Sequence, residues 1–194
     1  VKIIVIGATG TIGGAVTRAL GPRHDVVRAS RRGPATVDLD DAASIDALFA
    51  RTGPVDAVVC CAASGALSPL GTPAGEDYWR GLQAKLIGQV NVVRSALAHV
   101  RDGGSVTITS GRFAAPVPGS SLGHLVNAGL EAFVRAAAIE MPRDLRLNAV
   151  SPGWVRETLL TLGLDPAGGT PAADVARVYV EAVEGHAHGG TLPA

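Results

Sequence analysis

Hydrophobic residues follow two rhythms along this chain. Short runs of β-branched residues, barely interrupted by polar ones, alternate with longer stretches in which apolar side chains recur every three or four positions. The runs predict strands at Lys2–Ile6, Asp25–Ala29, Ala57–Cys61, Ser105–Thr109 and Arg146–Val150, with a short last strand near Gly190–Leu192. Their unbroken apolar character suits strands covered on both faces. The periodic stretches predict helices over Thr11–Leu20, Asp41–Ala50, Glu76–Val100, Leu122–Glu140 and Pro171–Glu184. Leu82, Leu86, Val90 and Val93 share one face of the third of these. Gly21-Pro22 ends the first, Met141-Pro142 ends the fourth, and Pro171 opens the last at a favourable first-turn position.

Strands alternating with helices predict an α/β protein built on a mainly parallel sheet. One connection departs from the pattern. Only Ser30–Ala35 separate the second strand from Thr36-Val37-Asp38, whereas a parallel crossover needs about a dozen residues. We therefore expect Thr36–Asp38 not to form a standard third parallel strand, and a sheet of about six strands with one helix missing. No internal repeat or low-complexity segment breaks the series, which predicts a single domain over residues 1–194.

Charge and composition exclude more than they identify. Seventeen basic and seventeen acidic residues cancel, so no global field attracts nucleic acid or an anionic membrane. No apolar run could cross a bilayer and no signal-peptide pattern precedes the first strand. Cys60 and Cys61 are adjacent, which suits neither a disulfide framework nor a CxxC pair and fits a reducing cytoplasm.

The chemistry is concentrated first at Gly7-Ala8-Thr9-Gly10-Thr11-Ile12-Gly13, between a strand and a helix. In that context, glycines allow a pyrophosphate to approach the backbone while N–H groups at the helix start face its oxygens. This predicts a Rossmann-type three-layer sandwich binding a dinucleotide. The second strand ends Ala29-Ser30-Arg31-Arg32, without the carboxylate that would hold the ribose of NAD. The guanidinium fork of Arg31, with Ser30 beside it, suits a 2′-phosphate and points to NADP. Asp38 could accept a hydrogen bond from the adenine amino group.

With these residues in view, the chain resembles the short-chain dehydrogenase/reductase family over nearly its whole length. The glycine turn matches that family's cofactor signature, and Val37-Asp38-Leu39 resembles its adenine-binding segment. Asp56–Ala63 stands where the family has an Asn-Asn-Ala-Gly motif, and Asn148–Val155 is similar to its Asn-Ala-Val-x-Pro-Gly stretch. The resemblance implies cofactor contacts at Gly7, Thr9, Gly10, Thr11, Ile12, Asp38, Leu39, Cys61, Ala62 and Ala63. It also implies Pro152, Gly153 and Val155 against a nicotinamide, with Thr158 near its carboxamide. Association into a dimer or tetramer through the two long helices is a further implication.

The family's catalytic groups are a serine, a tyrosine, a lysine four residues on, and often an asparagine on the preceding helix. Ser110 fits the serine. Counting back from Ala138–Met141 and forward from Ser110 both put the tyrosine position at Gly123 and the lysine position at Asn127. Lys85 falls at the asparagine position. The two tyrosines, Tyr78 and Tyr179, stand elsewhere. His124 could be a replacement acid or a surface histidine. Lys85 could serve the substrate oxygen or the ribose, or form a salt bridge. Asn127 could still bond the ribose, and Arg112 could meet an anionic substrate.

Cys60 and Cys61 read as small buried strand residues without an activating partner. His186 and His188 lack the further ligands of a metal site, so no metal is expected. These readings support an NADP-dependent oxidoreductase of a small carbonyl, alcohol or enone with a non-standard acid–base arrangement. A catalytically inactive NADP-binding regulator or scaffold and a non-redox isomerase or cyclase remain as alternatives.

Overall fold

The computed structural model describes residues 1–62, 67–71, 79 and 81–194. Strands β1 (Lys2–Ile6), β2 (Asp25–Ser30), β3 (Ala35–Thr36), β4 (Val55–Cys60), β5 (Val100–Thr109), β6 (Arg146–Ser151) and β7 (Thr191–Pro193) form one parallel sheet. Its order is β3-β2-β1-β4-β5-β6-β7. Successive side chains of a strand point to opposite faces, and the core divides accordingly. Ile4, Ile6, Val58, Val106 and Ile108 pack beneath Phe49 of α2 (Ala42–Thr52), Val92 of α3 (Gly88–Ala96) and Leu130 of α4 (Ser121–Ala138). Ile3, Val5, Ala57, Val59 and Val150 pack on the other face against Val16 and Leu20 of α1 (Thr11–Leu20). Val175 and Tyr179 of α6 (Ala172–Glu184) complete that layer. The result is the expected Rossmann-type three-layer sandwich.

The sheet has seven strands rather than six, because β3 pairs parallel to β2 through Ala29–Ala35 and Ser30–Thr36. The crossover-length argument applies to a full strand. A two-residue strand needs the chain to retreat only about 7 Å. Ser30–Ala35 does so through a loop in which Ser30 Oγ donates to the Arg32 carbonyl and Gly33 takes φ +122°. No helix intervenes, as the short connection implied.

Other boundaries shift for local reasons. β5 starts at Val100, five residues early, because a register shift opposite Val55–Ala57 absorbs extra residues. The helix expected over Glu76–Val100 begins partly outside the described residues and ends at Ala96. Its Leu82–Ile87 portion is π-helical, which apolar spacing does not reveal. Pro171 is the N-cap of α6, not a first-turn residue. A six-residue helix, α5 (Arg156–Thr161), had no counterpart in the periodicity. No helix among the described residues is long and apolar enough to cross a membrane.

Candidate dinucleotide and reaction site

The chain reverses its winding between β1 and β4, which are neighbours in the sheet though distant in sequence. A crevice at such a switch point lies beyond the carboxyl ends of the strands, where α/β sheets take their ligands. The turn after β1, Cys61-Ala62 after β4, Ser110 after β5 and Pro152-Gly153 after β6 all stand along this edge.

The three glycines of the first turn differ in what requires them. Gly7 has φ +80°, and a Cβ there would stand 2.7 Å from the Ala62 nitrogen. A Cβ on Gly13 would lie 2.1 Å from the Gly7 carbonyl oxygen. Both are fixed by packing. Gly10 is not: its φ is −80° and a Cβ would approach only the Gly7 oxygen, at 3.4 Å. Gly10 is the N-cap of α1, and no side chain caps that helix. Its neighbours Thr9 and Thr11 are exposed, while Ile12 packs partly against the core. A bare, uncapped helix start fits an anionic group such as a pyrophosphate.

At the end of β2, Arg31 is exposed and Ser30 is buried. Asp38 Oδ1 accepts from the Asp40 N–H at 3.1 Å, and the Asp38 N–H donates to Ser44 Oγ at 2.9 Å, so this segment forms a fixed turn. Leu39 is buried against Gly88, where a Cβ would meet the Leu39 oxygen at 2.5 Å. Ala63 and Tyr78 lie outside the described residues.

On the opposite side, Pro152 accepts from the Arg112 N–H at 2.9 Å, and Gly153 donates its N–H to the Ala194 oxygen at 3.2 Å. Arg112 Nη2 also donates to that oxygen at 3.2 Å. Val155 is the N-cap of α5, a helix that carries the half-buried Thr158.

The expected reaction residues assemble in an arrangement that the sequence does not disclose. Lys85 Nζ donates to Asn127 Oδ1 at 2.8 Å, joining the π-helical segment to α4. Burial pushes the Lys85 ammonium down to about 8. The backbone of Lys85 is fixed by Gln89, whose Nε2 donates to the Lys85 carbonyl at 2.9 Å and to the Thr109 carbonyl at 2.8 Å. Gln89 Oε1 receives the Thr109 N–H at 2.7 Å. Gln89 is fully buried, and this pairing sets Lys85 against the end of β5.

Ser110 follows Thr109 directly and is 2% exposed. Its Oγ donates to Glu131 Oε1 at 2.9 Å, and Ser151 Oγ donates to the same oxygen at 3.2 Å. Gly111 leaves room for the Asn127 amide, since a Cβ there would stand 3.2 Å from Nδ2. Lys85, Asn127, Ser110 and Glu131 thus form one neighbourhood. Gln89, Glu131 and Ser151 were missed in the sequence, where a residue some twenty positions from its partner gives no local signal.

His124 lies against Phe113, with ring centroids 4.8 Å apart, and its buried Nε2 has no hydrogen-bond partner among the described residues. Phe113 also meets Trp154 edge-on at 6.4 Å. The space beside Gly123 belongs to Phe113, whose Cε2 would be 3.0 Å from a Gly123 Cβ. Tyr179 is core: its hydroxyl shares a 2.7 Å hydrogen bond with Thr109 Oγ1, and burial raises it well above the usual phenol range. Burial likewise pushes the Cys60 thiol up to about 12 and raises Cys61, which leaves both as thiols. His188 Nδ1 accepts from the Leu147 N–H at 3.1 Å, and no metal-ligand cluster occurs among the described residues.

Comparison with known proteins agrees with this fold. A family model described as Enoyl-(Acyl carrier protein) reductase matches residues 18–177. The structure of the protein lin1944 from Listeria innocua is 35% identical, with a TM-score of 0.92, and the match covers all of this chain and 98% of that one. A small-chain dehydrogenase in complex with NADPH is 25% identical, with a TM-score of 0.84, over all of this chain and 95% of that one. Among curated relatives, a (5R,7aS)-5-hydroxy-7a-methyl-1-oxo-2,3,5,6,7,7a-hexahydro-1H-indene-carboxyl-CoA reductase of Mycobacterium tuberculosis (strain ATCC 25618 / H37Rv) is 30% identical over 132 residues. That match covers 63% of this chain and 50% of the relative, so it spans about half the relative's length. The chain belongs to the short-chain dehydrogenase/reductase family of oxidoreductases.

Proposed function

We propose that the chain is an NADP-dependent oxidoreductase of a small carbonyl, alcohol or enone in which Lys85 handles the proton. The observation that carries this reading is the 2.8 Å contact between Lys85 Nζ and Asn127 Oδ1. Counted along the chain, the family's lysine and asparagine positions hold each other's residue, and the two side chains meet. The site keeps an ammonium although position 127 has lost one.

Gly7, Thr9, Gly10, Thr11 and Ile12 would hold the pyrophosphate, while Ser30 and Arg31 would face a 2′-phosphate. Asp38 and Leu39 would border the adenine, and Cys61, Ala62 and Ala63 would lie along the dinucleotide. Asn127 would bond a ribose hydroxyl. Pro152, Gly153, Val155 and Thr158 would border the nicotinamide, whose chemistry is to deliver or remove a hydride. The NADPH complex of a 25% identical relative supports this choice of cofactor.

Lys85, held near neutrality by burial, can release a proton to a substrate oxygen during reduction and recover it during oxidation. Ser110 would border the reacting space. His124, tilted against Phe113, would contribute to its wall rather than to proton transfer. The thiols at Cys60 and Cys61 suit a reducing cytoplasm. The outer side of α4, where Leu125 is 58% exposed, suits association with a second copy.

Fluorescence titration with NADPH and NADH, followed by absorbance assays on a panel of ketones, aldehydes and enones, tests the reading. We expect NADPH to bind more tightly than NADH, Arg31→Ala to erase most of that preference, and Lys85→Met to slow turnover ~100-fold or more. Absence of dinucleotide binding would sink the proposal. One alternative has its own support: Phe113 fills the space beside Gly123, and Ser110's hydrogen is directed at Glu131. Both suit an NADP-binding regulator, which would bind NADPH and turn over nothing in the same panel.

A further inference from the structure

We propose that Glu131 and Lys85 together recognise a substrate with a hydroxyl beside its carbonyl, Glu131 accepting the hydroxyl's hydrogen bond and Lys85 donating to the carbonyl oxygen. This substrate class rests on the reading of the chain as an oxidoreductase, which it makes more specific.

Ser110 has a single hydroxyl hydrogen, for which Glu131 Oε1 at 2.9 Å is the nearer acceptor and the Val150 carbonyl at 3.4 Å the other. Ser110 therefore cannot also donate to a substrate carbonyl while either bond stands. Ser151, from the neighbouring strand, directs its own hydrogen at the same oxygen. Two serines at the ends of β5 and β6 thus fix the carboxylate. Glu131 Oε2 takes no hydrogen bond among the described residues, and the side chain is half-buried.

Lys85 is in the complementary state. Its ammonium has three N–H donors, and one acceptor, Asn127 Oδ1, is present among the described residues. No carboxylate of those residues forms a salt bridge with it. Asn127 and Glu131 are one helical turn apart on α4 and so face the same side. The Lys85 ammonium and the half-buried Glu131 carboxyl flank Asn127 without an ion pair between them. A buried ammonium with one acceptor for its three N–H donors is better satisfied when a ligand supplies another. A plain ketone would satisfy Lys85 alone. An α-hydroxy ketone carries an acceptor and a donor on adjacent carbons and would satisfy both.

The test compares α-hydroxyacetophenone with acetophenone by ligand-observed NMR, on wild-type protein and on Glu131→Gln and Glu131→Leu. Each is measured with and without NADP⁺, which cannot reduce the carbonyl, and constant absorbance at the NADPH wavelength verifies that the hydroxyl is not oxidised during the measurement. A separate NADPH titration reports on the cofactor reading, so failure of one is distinguishable from failure of the other. Wild type is expected to favour the hydroxy ketone ~tenfold, as a hydrogen bond to a charged group implies. The preference should fall to a few-fold in Glu131→Gln, which keeps the shape, and vanish in Glu131→Leu. Equal affinity for the two probes in wild type, binding of neither, or equal weakening of both in the variants would overturn the proposal. The last outcome is what a purely structural Glu131 would give.

Discussion

The edge of the Phe113 ring stands 3.0 Å from the point where a Cβ on Gly123 would begin. The two residues exclude a large side chain at position 123 jointly, one by lacking it and the other by occupying its volume. Phe113 is held there by His124 on one side and Trp154 on another. A glycine at 123 and an aromatic wall at 113 are therefore one structural arrangement.

Gly123→Ala should be close to neutral, because the helix gains about 1 kcal/mol while the ring edge yields by a few tenths of an ångström. Gly123→Tyr should lose roughly 2–3 kcal/mol through overpacking. Adding Phe113→Ala to Gly123→Tyr should recover part of that loss. Thermal unfolding of the three variants checks this order, and a fully stable Gly123→Tyr single mutant would contradict it.

The first turn gives a sharper separation between folding and binding. Gly13→Ala puts a methyl against a backbone oxygen and should destabilise by ~3 kcal/mol or more. Gly10→Ala meets nothing closer than 3.4 Å, so its melting temperature should stay near wild type. Its NADPH affinity should nevertheless fall ~tenfold or more, because the methyl would stand where the pyrophosphate comes close. Equal affinities for Gly10→Ala and wild type would argue that no phosphate sits on this turn.

The proposed role of Lys85 links the pH dependence of activity to that of stability. With Lys85 as the proton carrier, reduction should decline as pH rises through about 8, and alcohol oxidation should rise across the same range. Its folded value lies below the ordinary 10.5, so the unfolded chain binds the proton more readily between about 8 and 10.5. Lys85 therefore penalises the fold at neutral pH, and the penalty disappears as pH rises through that window. Lys85→Met should be more stable than wild type at pH 7 by roughly 1–3 kcal/mol, net of the lost Asn127 bond. Urea unfolding at neutral pH and again above about 10.5, where the gain should be absent, measures this directly.

What the sequence disclosed was what depends on neighbours along the chain. The glycine turn combines three residues with a strand before and a helix after, all within a dozen positions. Alternating strands and helices likewise revealed the three layers. The two-residue β3 is not legible because the crossover length sets a limit on whole strands and not on so short a fragment. The site was less legible for a different reason. Lys85 was conspicuous as one of two lysines, but its partner stands 42 residues away. Glu131 carries no mark in the sequence, because the two serines directed at it stand 20 and 21 residues away. Hydrogen-bond partners brought together by a sheet edge leave no periodic trace.

The π-helical segment Leu82–Ile87 has a consequence for how this site could diverge. Its i to i+5 bonding accommodates an additional residue in the turn that carries Lys85. Downstream, Gln89 anchors the next stretch to β5. Deleting one residue between Lys85 and that anchor would return the turn to α-helical spacing and swing the lysine by about a hundred degrees, while α3 kept its place. The direction of the ammonium is thus stored as helical phase. A single insertion or deletion, without any change in residue type, could take this lysine into or out of the site.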